Sequence, residues 1–532
     1  MFDDEPCPAG ARAAKSLSKL PSGSRRRSAG REKKSFESPA ERTFFLKPPP
    51  PDSRPYLKPR RRGGATENNV TKIPSANAQE LSRRRWLQLT ALAGGAAAIG
   101  FPNILRAADT NGKLNVGFIG LGGQGRSRLK ELLGCGANVA ALCDVDENQT
   151  GEARTVLEGT TFKPKTYVDY RVLLDQEKNL DAVVIATPDH WHAPVATAAL
   201  KSGKHVFCEK PLAHSVYEAR QLRKLAEKHS GLVTQMGNQG SASPNLRRAI
   251  ELINAGVIGR VREVHVWVAR SGSFEAGQAA PVGEDAVPAG LHWDAWLGPA
   301  PLRPYKKKIY HPHTWRAWYD FGGGSMADWG CHGLNLPFRA LKLDYPTGVT
   351  ADVQGEITAG YPKNVRIRYE FAGRNHLPPL TIWWHDGGRL PPVEVVPKSV
   401  IDHSGEMPEA GVLILGESGF TFGTPHTGAD YIQLAGDKKL SGIRSHEATR
   451  HIPESLPRSP GHLKEWTDAC TGGPPTFSNF EVGGKLTEIA LSGVVALRTG
   501  KTLVWNGEKM RAENAPEAGQ YIKPHYRTGW KI

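Results

Sequence analysis

The chain has 532 residues, of which 39% are hydrophobic, and a formal net charge of +16 at pH 7. This length exceeds what one compact core accommodates, so the composition excludes a short peptide and a wholly disordered chain and predicts two folded domains. Residues 1–108 hold 21 Lys and Arg against 9 Asp and Glu, and the remainder holds 48 against 44, so the charge distribution predicts no nucleic-acid partner for the folded part.

Residues 1–80 contain segments such as "GSRRRSAGREKKS" and "KPPPPDSRP", which are rich in Arg, Pro, Ser and Gly. Such segments bury too little apolar surface to offset the entropy lost on ordering. We therefore predict a disordered basic tail over residues 1–80. A translation start downstream of this tail, which would remove it from the mature protein, is the alternative.

Residues 81–108 form a predicted signal segment. The stretch "SRRRWLQ" resembles the twin-arginine consensus, with Trp86 in place of the usual Phe. The apolar run from Trp86 to Phe101 is 16 residues long, shorter than the roughly 20 residues needed to span a bilayer. We expect no stable membrane span, but export to the periplasm by the twin-arginine translocation machinery. If this segment is only a basic cluster beside a buried helix, the protein is cytoplasmic.

Strands alternate with helices from residue 109 to residue 237, a pattern typical of a parallel sheet covered by helices on both faces. The predicted strands are "KLNVGFIG", "NVAALCD", "LDAVVIATP", "KHVFCEKP" and "LVTQMG". The predicted helices are "SRLKELLG", "HAPVATAALKSG" and "SVYEARQLRKLAEKHSG". The fold class predicted here is α/β, with an N-terminal Rossmann dinucleotide-binding domain over residues 109–237.

A glycine-rich turn follows the first of these strands. Gly120, Gly122 and Gly125 form GxGxxG at the start of a helix, where backbone N–H groups bind a pyrophosphate, and Gln124 lies within the turn. Asp144 ends the second strand, where a carboxylate accepts hydrogen bonds from the adenosine ribose. Because that carboxylate repels a 2′-phosphate, the pattern favours NAD over NADP as cofactor.

Residues 238–532 form a predicted second domain of α+β type, with a largely antiparallel open sheet covered by helices on one face. Its strands include "VREVHVWVAR", "NVRIRYEFAG", "LTIWWHDG" and "GVLILGESGFTFG". Its helices include "NLRRAIELINAGVIG", "HLKEWTDACTG" and "GKLTEIALSGVVALRTG". The segment "HWDAWLGPAPLRP" has no assignable pattern.

Two polar motifs end successive strands of the first domain. Thr187, Pro188 and His192 belong to "TPDHWH", and Glu209 and Lys210 belong to "EKP". Because parallel strands end at one edge of the sheet, where such folds bind ligands, we expect all five residues in the cofactor site.

With these two motifs, the chain resembles the family of glucose-fructose oxidoreductase, inositol dehydrogenase and the rhizopine-catabolism oxidoreductases (Gfo/Idh/MocA) over residues 113–345. The resemblance implies that Lys210 contacts both nicotinamide and substrate, and that Asp328 and His332 in "FGGGSMADWGCHGLN" complete the catalytic site. It also implies a homo-oligomer, a dimer or tetramer, built through the open face of the second sheet.

The chemistry of the residues is consistent with this resemblance. Oxidation of a CH–OH group needs a base for the hydroxyl proton, and histidine is suited to that role at neutral pH. Asp328 and His332 are four positions apart and therefore share a helix face. We assign His332 as the base, Lys210 as the group that polarises the hydroxyl, and Asp328 as the residue that orients the substrate or His332.

Other polar residues are weaker candidates. Trp315, Arg316 and Tyr319 precede the glycine run and are predicted to line a sugar site, although core and surface positions suit them equally. The pairs His190/His192 and His311/His313 lack a nearby third ligand, so no metal site is predicted. Neither Cys208 nor Cys331 is paired with a base in the sequence, so no thiol nucleophile is predicted.

Three functions are compatible with this pattern. The first is an NAD-dependent oxidoreductase that acts on the CH–OH group of a sugar, polyol or derivative. The second is an NAD-dependent glycoside hydrolase or lyase that oxidises a ring carbon transiently, eliminates the glycosidic bond and recycles the cofactor. The third is a non-catalytic sugar-binding module, which would be indicated by loss of Lys210 or His332, and both are present.

Overall fold

A computed structural model describes residues 112–268, 279–374 and 377–531. The predicted basic tail over residues 1–80 and the predicted signal segment over residues 81–108 lie outside these residues.

The first sheet contains six parallel strands, and its two central strands are buried along their whole length, as expected for a sheet covered on both faces. The strands are β1 (Asn115–Ile119), β2 (Asn138–Cys143), β3 (Lys165–Tyr167), β4 (Ala182–Ile185), β5 (His205–Glu209) and β6 (Thr234–Gly237). Their order in the sheet is β3-β2-β1-β4-β5-β6, as in a Rossmann fold. The strand order reverses between β1 and β4, so the ligand crevice is expected at the carboxyl ends of these two strands.

Helices connect these strands. They are α1 (Gly123–Leu133), α2 (Glu147–Val156), α3 (Tyr170–Gln176), α4 (Asp189–Lys201) and α5 (Val216–Lys228). The start of α5 is set by a capping box, in which the side chain of Ser215 accepts from the Glu218 N–H and the Glu218 carboxylate accepts from the Ser215 N–H. The capping box therefore marks the point where the loop after "EKP" ends and α5 begins.

The second sheet contains ten strands in the order β14-β13-β12-β11-β7-β10-β9-β8-β15-β16. They are β7 (Val261–Val268), β8 (Gly348–Val353), β9 (Val365–Phe371), β10 (Leu380–Asp386), β11 (Ala410–Gly416), β12 (Gly419–Gly423), β13 (Tyr431–Leu434), β14 (Ser441–Gly442), β15 (Leu503–Asn506) and β16 (Arg511–Ala512). Neighbouring strands are antiparallel except for β7 and β10, which run parallel. The two sheets confirm the predicted fold class.

The second half of the chain also contains helices, one of which forms from the segment that had no assignable pattern. They are α6 (Pro244–Asn254), α7 (Trp293–Leu297), α8 (Gly324–Gly333), α9 (Asn335–Ala340), α10 (Lys398–Ser404), α11 (His462–Cys470), α12 (Phe480–Thr499) and α13 (Gly519–Ile522). In the described residues no helix has both the length and the apolar composition of a membrane span.

Helix α12 links the two halves, because it packs against α5, α8, β6 and β8. The buried side of the second sheet follows the period of two expected for a strand: Val365, Ile367, Tyr369 and Phe371 of β9 are all buried. Helix α8 is thereby held between the second sheet and the carboxyl edge of the first.

Candidate active site

The glycine turn between β1 and α1 has the space that a dinucleotide diphosphate requires. Gly120 has φ of +89°, and a Cβ there would lie 2.6 Å from the backbone of Thr187. A Cβ on Gly125 would overlap the carbonyl oxygen of Gly120, whereas a Cβ on Gly122 would meet nothing within 4 Å. The outer glycines are thus needed for packing, and the space beside the middle one is open for a ligand.

The N-terminus of α1 has the properties of an anion site. Its N-cap, Gly122, provides no side-chain hydrogen bond, and the first turn has no acidic residue. The free N–H groups and the helix dipole both favour a phosphate at this position. Gln124 donates to a carboxylate oxygen of Glu209 at 3.1 Å, so the side chain is tied to the end of β5.

Asp144 follows β2 at the same edge. One carboxylate oxygen accepts the Leu121 N–H at 2.6 Å and the other accepts the Asp146 N–H at 2.9 Å. Burial raises the pKa of Asp144 to about 6, although both hydrogen bonds act in the opposite direction. A carboxylate accepts about four hydrogen bonds, so capacity remains for the two ribose hydroxyls.

The ends of β4 and β5 are joined by His192. Its two ring nitrogens lie 2.9 Å from the carbonyl oxygen of Thr187 and 2.7 Å from that of Pro211. The side chain of Thr187 is buried with no hydrogen-bond partner among the described residues, and Pro188 is the N-cap of α4. His192 therefore holds the two strand ends together, and the Thr187 hydroxyl is the polar group left available to a ligand.

Glu209 forms a buried ion pair. It accepts from Arg128 Nε at 2.6 Å, and this cation lowers the pKa of Glu209 although burial alone would raise it. Its second carboxylate oxygen is buried without a hydrogen-bond partner in the described part of the chain. The pair connects α1, which starts at the glycine turn, to the end of β5, which carries Lys210.

Lys210 is held by Asp328. The Lys210 ammonium donates to the Asp328 carboxylate at 2.8 Å and to the Asp328 carbonyl oxygen at 3.0 Å. Arg316 Nε lies 3.3 Å from the same carboxylate oxygen. Burial alone would raise the pKa of Asp328, but the two cations hold it well below its usual range. Asp328 therefore holds Lys210, and its orientation of the substrate or His332 stays a prediction.

His332 lies one turn further along α8 and is 3% exposed. Its Nδ1 atom is buried and has no hydrogen-bond partner among the described residues. Burial, followed by the charge of Lys210 and by His426, lowers the pKa of His332 well below its usual value. The imidazole is thus neutral at pH 7, which is the form that accepts a proton.

The glycine run before α8 packs against protein. Gly324 has φ of +60°, and a Cβ there would overlap the ring of Tyr361. A Cβ on Gly323 would lie 2.8 Å from the Ala327 side chain. These glycines bring the start of α8 against its neighbours and so fix where Asp328 and His332 lie.

The structure adds a histidine that sequence analysis missed. His426 lies in the turn between β12 and β13, and its ring centroid is 4.5 Å from that of His332. Asp189, the first residue of α4, is also buried near this cluster, and burial raises its pKa well above the usual value despite the charge of Arg316. Asp189 belongs to "TPDHWH" but was not singled out there, and no motif marks His426, because only folding brings these segments together.

Comparison with known proteins identifies the family. Residues 114–236 match the Gfo/Idh/MocA model described as the oxidoreductase family NAD-binding Rossmann fold. Residues 246–373 match the model of the family's C-terminal alpha/beta domain. These two regions of the chain belong to the Gfo/Idh/MocA family. The first domain is accordingly an NAD-binding Rossmann domain, which confirms the cofactor prediction.

Curated relatives of this protein match over 154 residues. It is 31% identical to inositol 2-dehydrogenase of Salmonella typhimurium, across 29% of this chain and 45% of the relative. It is 33% identical to glycosyl hydrolase family 109 protein 1 of Shewanella sp. strain ANA-3, across 28% of this chain and 33% of the relative. The matched region therefore spans less than half the length of these relatives.

Solved structures of two dehydrogenases share the fold of this chain. Levoglucosan dehydrogenase in complex with NADH and levoglucosan has a TM-score of 0.52 and 17% identity, covering 74% of this chain and 99% of that one. The WlbA dehydrogenase from Bordetella pertussis in complex with NADH and UDP-GlcNAcA has a TM-score of 0.50 and 16% identity, covering 73% of this chain and 98% of that one. At these identities the likeness concerns the fold.

The three predicted substrate residues have different contact partners in the structure. Arg316 lies at Asp328, and its guanidinium is 4.2 Å from the centroid of the Trp315 ring. Tyr319 instead lies 4.8 Å from the Arg498 guanidinium. The contacts therefore bring Arg316, supported by Trp315, to the catalytic cluster and place Tyr319 with Arg498.

The remaining histidines and thiols have structural contacts. His190 Nε2 lies 3.0 Å from the Trp296 carbonyl oxygen, and His311 Nε2 lies 2.8 Å from the Asp146 carboxylate. Within residues 112–268, 279–374 and 377–531, no three His, Cys, Asp or Glu side chains are grouped as a metal site would require. Burial raises the pKa of Cys331 to about 12, so its thiol is protonated at neutral pH.

Proposed function

We propose that this protein is an NAD-dependent oxidoreductase that acts on the CH–OH group of a sugar, polyol or derivative. One observation carries the proposal: an ammonium group held in place and a neutral imidazole lie together at the sheet edge that carries the NAD-binding turn. Lys210 and His332 are these two groups, and Asp328 holds the first. The inositol 2-dehydrogenase relative supports a polyol or sugar as the substrate class.

Each site residue has a separate role in the proposed oxidation. NAD, when bound at the glycine turn and Asp144, supplies the hydride acceptor. Lys210 donates a hydrogen bond to the reacting hydroxyl and stabilises negative charge that develops on its oxygen. His332 takes the hydroxyl proton on a ring nitrogen. Asp328 keeps the Lys210 ammonium in position, and its low pKa means that it stays a carboxylate throughout.

Replacing Lys210 tests this assignment. In Lys210→Ala we expect kcat/KM to fall by about 10²- to 10⁴-fold, because the positioned hydrogen-bond donor is lost, while the protein still binds NAD. The measurement is absorbance of the reduced nicotinamide during a screen of sugars and polyols, with NAD affinity determined separately. Lys201→Ala removes an exposed lysine on the last turn of α4 and is the matched control. A fully active Lys210→Ala enzyme would refute the mechanism.

The redox-neutral hydrolase or lyase is the second candidate, and the glycosyl hydrolase family 109 relative favours it. In that reaction the same residues would oxidise a ring carbon, the glycosidic bond would leave by elimination, and the hydride would return. Aryl glycosides separate the two candidates. Release of the aryl alcohol with no net reduction of a retained NAD would establish the hydrolase, whereas accumulation of reduced nicotinamide would establish the dehydrogenase.

We further propose that the twin-arginine machinery exports the folded protein, with NAD already bound, to the periplasm. The twin arginines before a short Gly/Ala-rich apolar run support this proposal. We also propose a dimer or tetramer built through the open face of the second sheet. N-terminal sequencing of the native protein tests the first proposal, and native mass spectrometry tests the second.

A further inference from the structure

The proton taken up by His332 needs a way out of the site. His332 is 3% exposed, so an imidazolium there is poorly hydrated. Two charged neighbours cannot accept the proton. Lys210 donates its own protons to Asp328, and the Asp328 carboxylate is held by Lys210 and Arg316 with a pKa far below its usual range.

His426 is the neighbour that can accept this proton. Its ring lies against that of His332, with the centroids 4.5 Å apart and the planes at 60°. Its Nδ1 atom, like Nδ1 of His332, is buried and has no hydrogen-bond partner among the described residues. The His426 side chain is half-buried, whereas His332 is fully buried. The two imidazoles are thus in contact, and His426 is the more exposed of the pair.

The turn that carries His426 is held rigidly at its base. Thr427 donates to the Asp430 carboxylate at 2.6 Å, and the Gly428 N–H donates to the Thr424 carbonyl oxygen at 2.8 Å. Asn245 of α6 donates to the other Asp430 oxygen at 2.8 Å. These bonds join the turn to a helix outside the second sheet.

The first residues after β6 also press on the turn. A Cβ on Gly240 would overlap the carbonyl oxygen of His426, so this glycine allows the turn to approach closely. Trp329 closes the other side, with its ring centroid 5.1 Å from that of His426 and 5.9 Å from that of His332. The position of the second imidazole is therefore set by contacts from three separate elements, as a functional group requires.

We propose that His426 receives the proton that His332 takes from the reacting hydroxyl and releases it to solvent. The inference rests on the proposed oxidation of a CH–OH group. The hydroxyl O–H bond breaks as its proton bonds to a His332 nitrogen, the hydride goes to NAD, and the proton then passes to His426 and to water. His426 acts through His332, from which it receives the proton. It is therefore a positioning residue and does not need to contact the reacting carbon.

The charges around the pair favour rapid release. Burial lowers the pKa of both histidines, Lys210 lowers it further, and the Asp328 carboxylate acts in the opposite direction. Arg128 of α1 also lowers the pKa of His332. Because burial and the cations lower the pKa of both rings despite Asp328, a proton on His332 or His426 is held weakly. The proton is therefore expected to pass through the pair without resting on it at neutral pH.

Two substitutions test the relay in the NAD-loaded enzyme. In His426→Phe, which keeps a ring but removes both nitrogens, we expect kcat at pH 7 to fall by about tenfold to a hundredfold, with a larger solvent isotope effect. In His426→Ala, added imidazole should restore a large part of the lost kcat by occupying the vacated space. An unchanged kcat in both variants, or a loss that imidazole does not relieve, overturns the proposal.

His403, an exposed residue of α10, provides a matched control. Its ring contacts that of Tyr431 with the centroids 4.4 Å apart and the planes at 62°, almost the geometry of the His426 and His332 rings. His403→Phe should leave kcat and its pH profile unchanged.

NMR titration of labelled histidine separates this proposal from the proposed function, because it needs no turnover. In His426→Phe the His332 ring should titrate at higher pH than in the wild type, since a neighbouring imidazole no longer competes for the proton. An unchanged His332 titration overturns the relay even if the enzyme oxidises polyols. If no carbinol reduces NAD, the proposed function fails while the titration still decides whether protonation of the two rings is coupled, as the relay requires.

Discussion

At the scale of single residues, the site depends on one carboxylate shared between two cations. Asp328 accepts from Lys210 and lies 3.3 Å from Arg316, and it is partly shielded from water. The pKa of Asp328 is lower in the folded protein than its usual value. The ion pairs therefore stabilise the fold fully when the pH is above the usual pKa of Asp, and this stabilisation is lost only as the pH falls through the depressed pKa. The lysine therefore remains anchored across the physiological pH range.

Asp144 has the opposite shift and supplies a pH prediction. The ribose hydroxyls donate to the carboxylate form, and burial raises the pKa of Asp144 to about 6, so the group becomes protonated as pH falls below that value. We expect NAD affinity to be constant from pH 8 to 7 and then to weaken toward about tenfold per pH unit well below pH 6. Isothermal titration calorimetry between pH 8 and 5 provides the measurement.

Asp144→Asn is the control for this titration. It should bind NAD more weakly than the wild type at pH 7, and its affinity should not depend on pH in this interval. A wild-type affinity that stays constant down to pH 5 would remove Asp144 from the ribose site.

At the scale of elements, the position of α8 depends on its first residue. Gly324 has φ of +60° and lies against the ring of Tyr361, whose hydroxyl donates to the buried Asp386 at 2.7 Å. The helix cannot shift away without breaking this contact. The catalytic Asp328 and His332 are therefore placed by a glycine that has no chemical role of its own.

Gly324→Ala should lower both stability and activity. The left-handed backbone costs a side chain about 1–2 kcal/mol, and overlap with Tyr361 adds about 1–3 kcal/mol, so the free energy of unfolding should fall by a few kcal/mol. Denaturant unfolding and kcat measure the two effects. Gly151→Ala, in the exposed interior of α2 with nothing near its Cβ, should instead be neutral or stabilising by up to about 1 kcal/mol. Equal effects of the two substitutions would contradict the assigned role of Gly324.

At the scale of the whole molecule, a buried ion cluster joins the two halves. Glu488 of α12 is 2% exposed and accepts from Arg220 of α5 at 2.6 Å and from Arg223 at 2.8 Å. Arg220 also donates to the Tyr345 hydroxyl at 2.7 Å. The Glu488 carboxylate balances the positive charges of two arginines that are shielded from water. Its charge therefore determines how closely α5 and α12 can pack.

Glu488→Gln tests this connection. Removing the charge leaves two guanidinium groups without their buried carboxylate, so we expect a loss of about 3–5 kcal/mol in the free energy of unfolding. Asp402→Asn breaks an exposed pair with Lys398 on α10 and should cost less than about 1 kcal/mol. Thermal unfolding of both variants makes the comparison. A Glu488→Gln protein as stable as the wild type would show that apolar packing alone joins the halves.

The amino-acid sequence by itself determined the cofactor turn and many of the elements, although not the helix α7. Apolar runs ending in glycine and a carboxylate after β2 are local patterns that predicted the Rossmann domain, and short strands broken by turns predicted the antiparallel character of the second sheet. The family resemblance carried by "TPDHWH" and "EKP" implied Lys210, Asp328 and His332 as the catalytic residues. These features are readable because each depends on residues close together in sequence.

Only the tertiary structure decided which side chains meet. It paired Asp328 with Lys210, turned His192 inward between two carbonyl groups, placed Tyr319 with Arg498 and brought His426 against His332. Each of these contacts joins different elements, and the packing of the second sheet and α8 against the first domain selects them. A periodic pattern identifies which face of a helix is buried but not the partner it meets, which is why the chemistry of the site became specific only in the folded chain.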